Sequence, residues 1–128
     1  MARPTELELF IPGIPSNTNR SGHANSGKWQ NIRERKHFRE LARDIAEKTA
    51  MQAVWEPYDF SIISASHISP VDRRRDPLGL AERLKAPMDG LVDAGIIPDD
   101  DDKHIQVYLL PSRKGPKAGL YIHIRGEE

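Results

Sequence analysis

The sequence predicts a single α+β domain, residues 1–128, with elements in the order β-α-β-α-β-β: a mainly antiparallel sheet with two helices packed on it. Three observations predict it. Short stretches such as ELELFI, HIQVYLL and GLYIHIR alternate apolar and polar residues, which is the period of a half-buried strand. Two longer stretches space their apolar residues at helical intervals. No repeat or low-complexity linker divides the 128 residues, a length that suits one core.

The first strand is ELELFI, residues 6–11, with Leu7 and Leu9 on one face and glutamates on the other. PGIPSNTNRSGHANSGK, from Pro12 to Lys28, is rich in Pro, Gly, Ser and Asn and reads as a long loop. A helix over about 30–52 follows, its inner stripe made by Phe38, Leu41, Ala42, Ile45, Ala46 and Ala53. Its outer face is basic, with Arg33, Arg35, Lys36, Arg39 and Arg43. That face is either solvated or turned toward phosphates. YDFSIISAS, 58–66, reads as a strand at least half buried, with Tyr58, Phe60 and Ile62 on one face.

Asp76-Pro77 starts the second helix, since aspartate caps and proline fits the first helical position. Leu80, Leu84, Met88, Leu91 and Val92 share its inner face. Gly95 stops it, and Pro87 kinks it by removing a hydrogen bond. HIQVYLL, 104–110, and GLYIHIR, 119–125, then form a β-hairpin closed by a loop bearing Arg113, Lys114 and Lys117.

Composition narrows the function. There is no cysteine, which excludes disulfides, thiolate zinc sites and cysteine catalysis. No apolar run approaches the ~20 residues of a membrane span, and MARPTELELF lacks the apolar core of a secretion signal. A cytoplasmic protein with neither a membrane partner nor a small-molecule cofactor is expected. Net charge is zero, but net charge hides distribution.

That distribution is uneven in residues 72–104, DRRRDPLGLAERLKAPMDGLVDAGIIPDDDDKH, with three arginines at one end and four aspartates at the other. Taken singly, these are a cap, a solvated loop and a polar turn. Taken together, they pair crowded carboxylates, which repel unless a cation neutralises them, with arginines that hold phosphates. Oxygen-rich sites prefer hard ions such as Mg2+, and phosphodiester cleavage uses such ions. The five histidines, at 23, 37, 67, 104 and 123, show no ligand-pair spacing.

The same residues resemble the RusA family of Holliday-junction resolvases, common in phages and prophages. The similarity runs from RRRD (Arg73–Asp76) through LKAPMDGLVDAG (Leu84–Gly95) to PDD (Pro98–Asp100), with an echo in PSNTN (Pro15–Asn19). The resemblance implies a small homodimeric endonuclease that cuts four-way, branched DNA symmetrically, using Mg2+ with Mn2+ as the alternative ion. Carried over by motif, Asp76, Lys85 and Asp100 are the catalytic positions, and Asp76, Asp99 and Asp100 the metal positions. Arg73, Arg74, Arg75, Lys114, Lys117, Arg20 and Lys28 are the residues expected to bind DNA phosphates. The chain departs from the family where a second aspartate and an asparagine belong, at Leu78 and Gly79; Asp72, Asp101 or Asp102 are the substitutes within reach. A junction binder with lost cleavage, or a small non-enzymatic interaction domain, are the competing expectations.

Asp76 and Asp100 stand at opposite ends of the second helix, which would be ~27 Å long at ~1.5 Å per residue. The return from Gly95 spans at most ~20 Å. One chain therefore cannot bring both to one ion, and a two-fold dimer with two composite sites is expected. Lys85, four residues before Asp89, either serves the site or forms an ordinary helix ion pair.

Overall fold

A computed structural model describes residues 3–15, 25–71 and 75–128, with only the backbone of 25–30. Arg20, Asp72, Arg73 and Arg74, and the side chains of Lys28 and Trp29, lie outside the described residues.

The elements are β1 (Glu6–Pro12), α1 (Asn25–Ala53), β2 (Phe60–Ser69), α2 (Pro77–Arg83), α3 (Lys85–Asp93), β3 (Ile105–Leu109), β4 (Arg113–Lys114) and β5 (Gly119–Glu127). The sheet is mixed, in the order β1-β5-β2-β3, with β4 also on β2. β5 runs antiparallel to both β1 and β2, while β3 and β4 run parallel to β2.

This corrects the expected hairpin. The strands flanking PSRKGPKA do not pair with each other; β5 inserts between β1 and β2 and leaves β3 on an edge. Burial explains the choice. Leu120, Ile122 and Ile124 of β5 are wholly buried, whereas β3 has no wholly buried residue and only Ile105 is close to it. The more apolar strand takes the central position, where both neighbours shield it. β2 and β3 are joined through α2 and α3, the helical crossover that parallel strands need.

Leu7, Leu9 and Ile11 of β1, Ile63 and Ala65 of β2 and the inward residues of β5 form one buried face. The helices supply Phe38, Ala42 and Ala46 from α1 and Leu80, Leu84, Met88 and Leu91 from α2 and α3. In β2 the odd-numbered residues, not Phe60 and Ile62, are the more deeply buried. The opposite sheet face mixes polar and apolar side chains, with His123 Nε2 3.3 Å from Glu6 and the Arg113 guanidinium over the Tyr121 ring.

α1 starts at Asn25, taking in residues assigned by composition to the loop. Ser26 and Gly27 are poor helix formers, but they occupy the first turn, where N–H groups have no intrahelical acceptor to lose. The second helix is split at Leu84 rather than kinked at Pro87. Pro87 cannot donate to the Arg83 carbonyl, and its ring pushes on that carbonyl four residues back. The chain therefore resets one residue later, and Met88 N–H donates to Leu84 O at 2.8 Å to start the new ladder. Gly95, with φ 75°, ends α3 as read, and Ile96 N–H reaches back to Leu91 O at 3.2 Å.

α3 lies very close to α1. A Cβ on Gly90 would stand 2.3 Å from the Arg39 carbonyl oxygen, so only glycine admits this approach. Trp55, just past α1, donates from Nε1 to Ile96 O at 3.0 Å and packs the helix end.

Candidate functional site

Asp76 caps α2 as its sequence predicts. Its Oδ1 accepts from Leu78 N–H at 3.0 Å, with Pro77 in the first helical position. Arg75 and Asp76 border a cleft of about 410 Å3 that runs to Leu109 and Pro111 at the far end of β3. His67 forms its floor. It is 2% exposed, and burial, with Arg75 and Arg83 nearby, lowers its pKa to about 4. The ring is therefore neutral at pH 7, and Arg83 Nη1 lies 3.5 Å from its Nε2.

Asp100 occupies the other end. It lies with Lys85, Met88 and Ile105 on a groove of about 260 Å3 between α2–α3 and β3. Burial, the Asp99 carboxylate and the Asp89 carboxylate all push its pKa above the usual carboxylate value. Its backbone N–H donates to Asp99 Oδ1 at 2.8 Å. The crowding of carboxylates anticipated from DDDD is thus present, but Asp89 joins it and Asp101 does not. Asp101 turns to His104, Oδ1 to Nδ1 at 2.6 Å, and accepts from Lys103 N–H.

Lys85 opens α3 and is exposed. It forms no ion pair with Asp89 among the described residues, so the ordinary helix pairing is not made. It stands between two clefts: the groove holding Asp100 and a larger one of about 540 Å3 between α1 and α2–α3. Arg35, Lys36, Arg39 and Arg83 line the larger cleft, with Glu34, Glu82 and Asp89 interspersed.

Arg83 was not singled out from sequence. Its Nε donates to the Pro15 carbonyl at 2.9 Å and ties the segment after β1 to α2. Only the fold could reveal this, since the partners are far apart in sequence. On α1, Arg39 and Arg43 of the basic face are engaged, with Asp93 and Glu47. Lys114 lies on β4 and Lys117 in the following turn; both are exposed, at the β4 end of the sheet rather than on a hairpin loop.

The structure brings Lys85, Asp99, Asp100 and Asp89 to one region and places Asp76 in a separate cleft. Among the described residues no three His, Asp or Glu side chains converge closely enough to hold a metal ion. Leu78, where an additional carboxylate would stand, is 74% exposed. No helix among the described residues is long and apolar enough to cross a membrane. No family model and no curated protein matches the chain.

Proposed function

We propose that this protein is a metal-dependent, structure-selective endodeoxyribonuclease of the RusA type. It acts on four-way DNA junctions as a homodimer, in the cytoplasm of a bacterial or phage-infected cell. The observation that carries the reading is the position of Lys85, between a cleft lined by Arg35, Lys36, Arg39 and Arg83 and a groove that holds Asp100. Base to hold phosphates and acid beside it is the arrangement that phosphodiester chemistry requires. Lys85 is placed to offset charge developing on a phosphate, and the arginines fix the backbone without reading bases. Junction shape, rather than a long sequence, is therefore the feature recognised. Asp76 and Asp100 come to one site only if two copies each contribute one of them.

A second reading has its own support: a junction binder that no longer cuts. Asp76 already serves as a helix cap, and Leu78 offers no ligand.

Incubation of the protein with a labelled four-way junction, in Mg2+, Mn2+ or EDTA, separates these readings. Cleavage only with metal is the outcome expected for the nuclease. Retardation in both conditions without cleavage selects the binder. Neither binding nor cutting of the junction removes both. Leu78→Asp, at an exposed position beside Asp76, should raise cleavage at least tenfold if the departure from the family motif limits activity.

A further inference from the structure

The described helices all pack on the sheet face that carries Leu7, Leu9, Ile11, Ile63 and Ala65. The opposite face lies away from them and holds aromatic side chains that this core does not use. The registers set Phe10 of β1 directly against Tyr121 of β5. Tyr108 of β3 stands in the next row, with Ser64, His123 and Glu8. Phe10 and Tyr121 are half-buried, and Tyr108 is exposed.

Charge is sorted along this face. The acids are engaged: Glu6 with His123 at 3.3 Å, Glu127 with Arg125 at 3.0 Å, and Glu8 as acceptor from the Tyr121 hydroxyl. At the other end, Ile68 pairs with both Gly119 and Arg113, so β4 lies beside the start of β5. Arg113, Lys114 and Lys117 gather there, and none of them forms an ion pair among the described residues.

The Arg113 guanidinium lies over the Tyr121 ring, 4.6 Å from its centroid. It is planar and cationic, and a nucleobase stacks on such a plane as readily as on a ring. Lys117 follows in a turn held close over the same face. A Cβ on Gly115 would stand 2.5 Å from the Ile68 side chain, so only glycine admits this approach.

Shape and charge select the occupant. Ring faces take bases that are free to leave their stack, which a single strand offers and a duplex does not. Its phosphates meet cations that no acid neutralises. An acidic peptide would satisfy the cations but give the rings nothing planar to hold.

We propose that the open sheet face binds single-stranded DNA, with bases stacked over Phe10, Tyr121 and the Arg113 guanidinium and with phosphates held by Lys117 and by Lys114 at the rim. The surface is distinct from the clefts at Asp76, Lys85 and Asp100, which adjoin α2 and α3. The choice of DNA over RNA rests on the nuclease reading, while the preference for a single strand follows from the face.

Fluorescence anisotropy of a labelled oligothymidylate of ~12 nucleotides tests it at low salt. The wild type should bind in the micromolar range. Tyr121→Leu, Phe10→Leu and Lys117→Glu should each weaken binding roughly fivefold or more, and Lys48→Glu, on exposed α1, should leave it unchanged. An abasic strand of the same length keeps the phosphates without the bases and should bind roughly fivefold more weakly or worse. A wild type that does not bind the oligomer overturns the proposal. So does equal binding of the abasic strand or of a duplex of the same length, tighter binding of oligouridylate, or undiminished binding by folded variants. If the leucine variants fail to fold, Lys117→Glu and the abasic strand decide. Junction cleavage on the same samples separates the two ideas: cleavage without oligomer binding removes this surface alone, and oligomer binding by a protein that neither binds nor cuts junctions removes the nuclease alone.

Discussion

The Arg39 guanidinium holds the Asp93 carboxylate with two arms, Nε to Oδ2 at 2.6 Å and Nη2 to Oδ1 at 2.9 Å, and so joins α1 to α3. The bond raises the arginine pKa and holds the Asp93 carboxyl below its usual value. It forms beside the close approach at Gly90, where the two helices have no room for larger side chains.

Breaking this pair should loosen the packing of the helices more than it weakens DNA binding. Arg39→Met and Asp93→Asn should each lower the urea midpoint at pH 7. A double-mutant cycle should show coupling that shrinks in high salt. Because the folded pKa of Asp93 is depressed, its contribution is present above the ordinary carboxylate range and is lost as pH falls through the folded value. Titration of both variants alongside the wild type reads this directly.

Val54 closes α1 in the left-handed region, with φ 55°, while Trp55 N–H returns to Ala50 O at 2.9 Å. A β-branched residue is strained there, and its side chain, 73% exposed, has little packing to lose. Val54→Gly should stabilise the fold by roughly 0.5–1 kcal/mol, the ~1–2 kcal/mol of strain less the entropy glycine adds to the unfolded chain. Thermal or urea unfolding of the single variant measures it.

His67 makes the fold sensitive to mild acid. Its folded pKa, about 4, lies below the ordinary value of 6.5, so the unfolded chain binds the proton first. Stability should be full above pH ~6.5 and fall as pH drops toward 4, at about 1.4 kcal/mol per pH unit at most. His67→Gln should flatten that part of the urea-midpoint profile. A wild-type profile already flat between pH 4 and 7 would show that the histidine is not buried neutral.

Asp100 is raised by burial and by the neighbouring Asp99 and Asp89 carboxylates, so the folded state gains the proton more readily. Its cost to the fold is absent below the unfolded carboxylate pKa and grows as pH rises through the folded value. Asp100→Asn should therefore raise the thermal midpoint at pH 7 in EDTA, with the gain fading as pH falls. The same variant should lose at least tenfold in junction cleavage. Stability gained together with activity lost would mark the residue as held for chemistry rather than for folding.

What could be read from sequence follows how local each signal is. Asp76-Pro77 and Gly95 marked the two ends of the second helical segment correctly, because capping depends on a few adjacent residues. The alternation in β1 and β5 gave the right faces. It could not give partners: Ile105, Val107 and Leu109 alternate as cleanly as Leu120, Ile122 and Ile124, yet one strand is central and the other an edge. The helix break moved from Pro87 to Leu84 because proline acts on the carbonyl four residues back. At the site, only the family resemblance groups Lys85 with Asp100, and both residues line one groove. Asp89, the alternative ion-pair partner for Lys85, lines the larger cleft and acts on Asp100 through its charge, and Arg83 gains its role from Pro15 across the fold.

The central position of β5 has a consequence for biosynthesis. The sheet cannot close in the order in which the chain emerges from the ribosome, since β1 and β2 have no direct hydrogen bonding to each other and wait for the strand that separates them. Until Gly119–Glu127 clears the exit tunnel, the buried rows of β1 and β2 have no neighbour between them, and the nascent polypeptide is most open to chaperones and to aggregation. Closure of the sheet should wait for Gly119–Glu127, with a rate set by the long loop closures between distant strands.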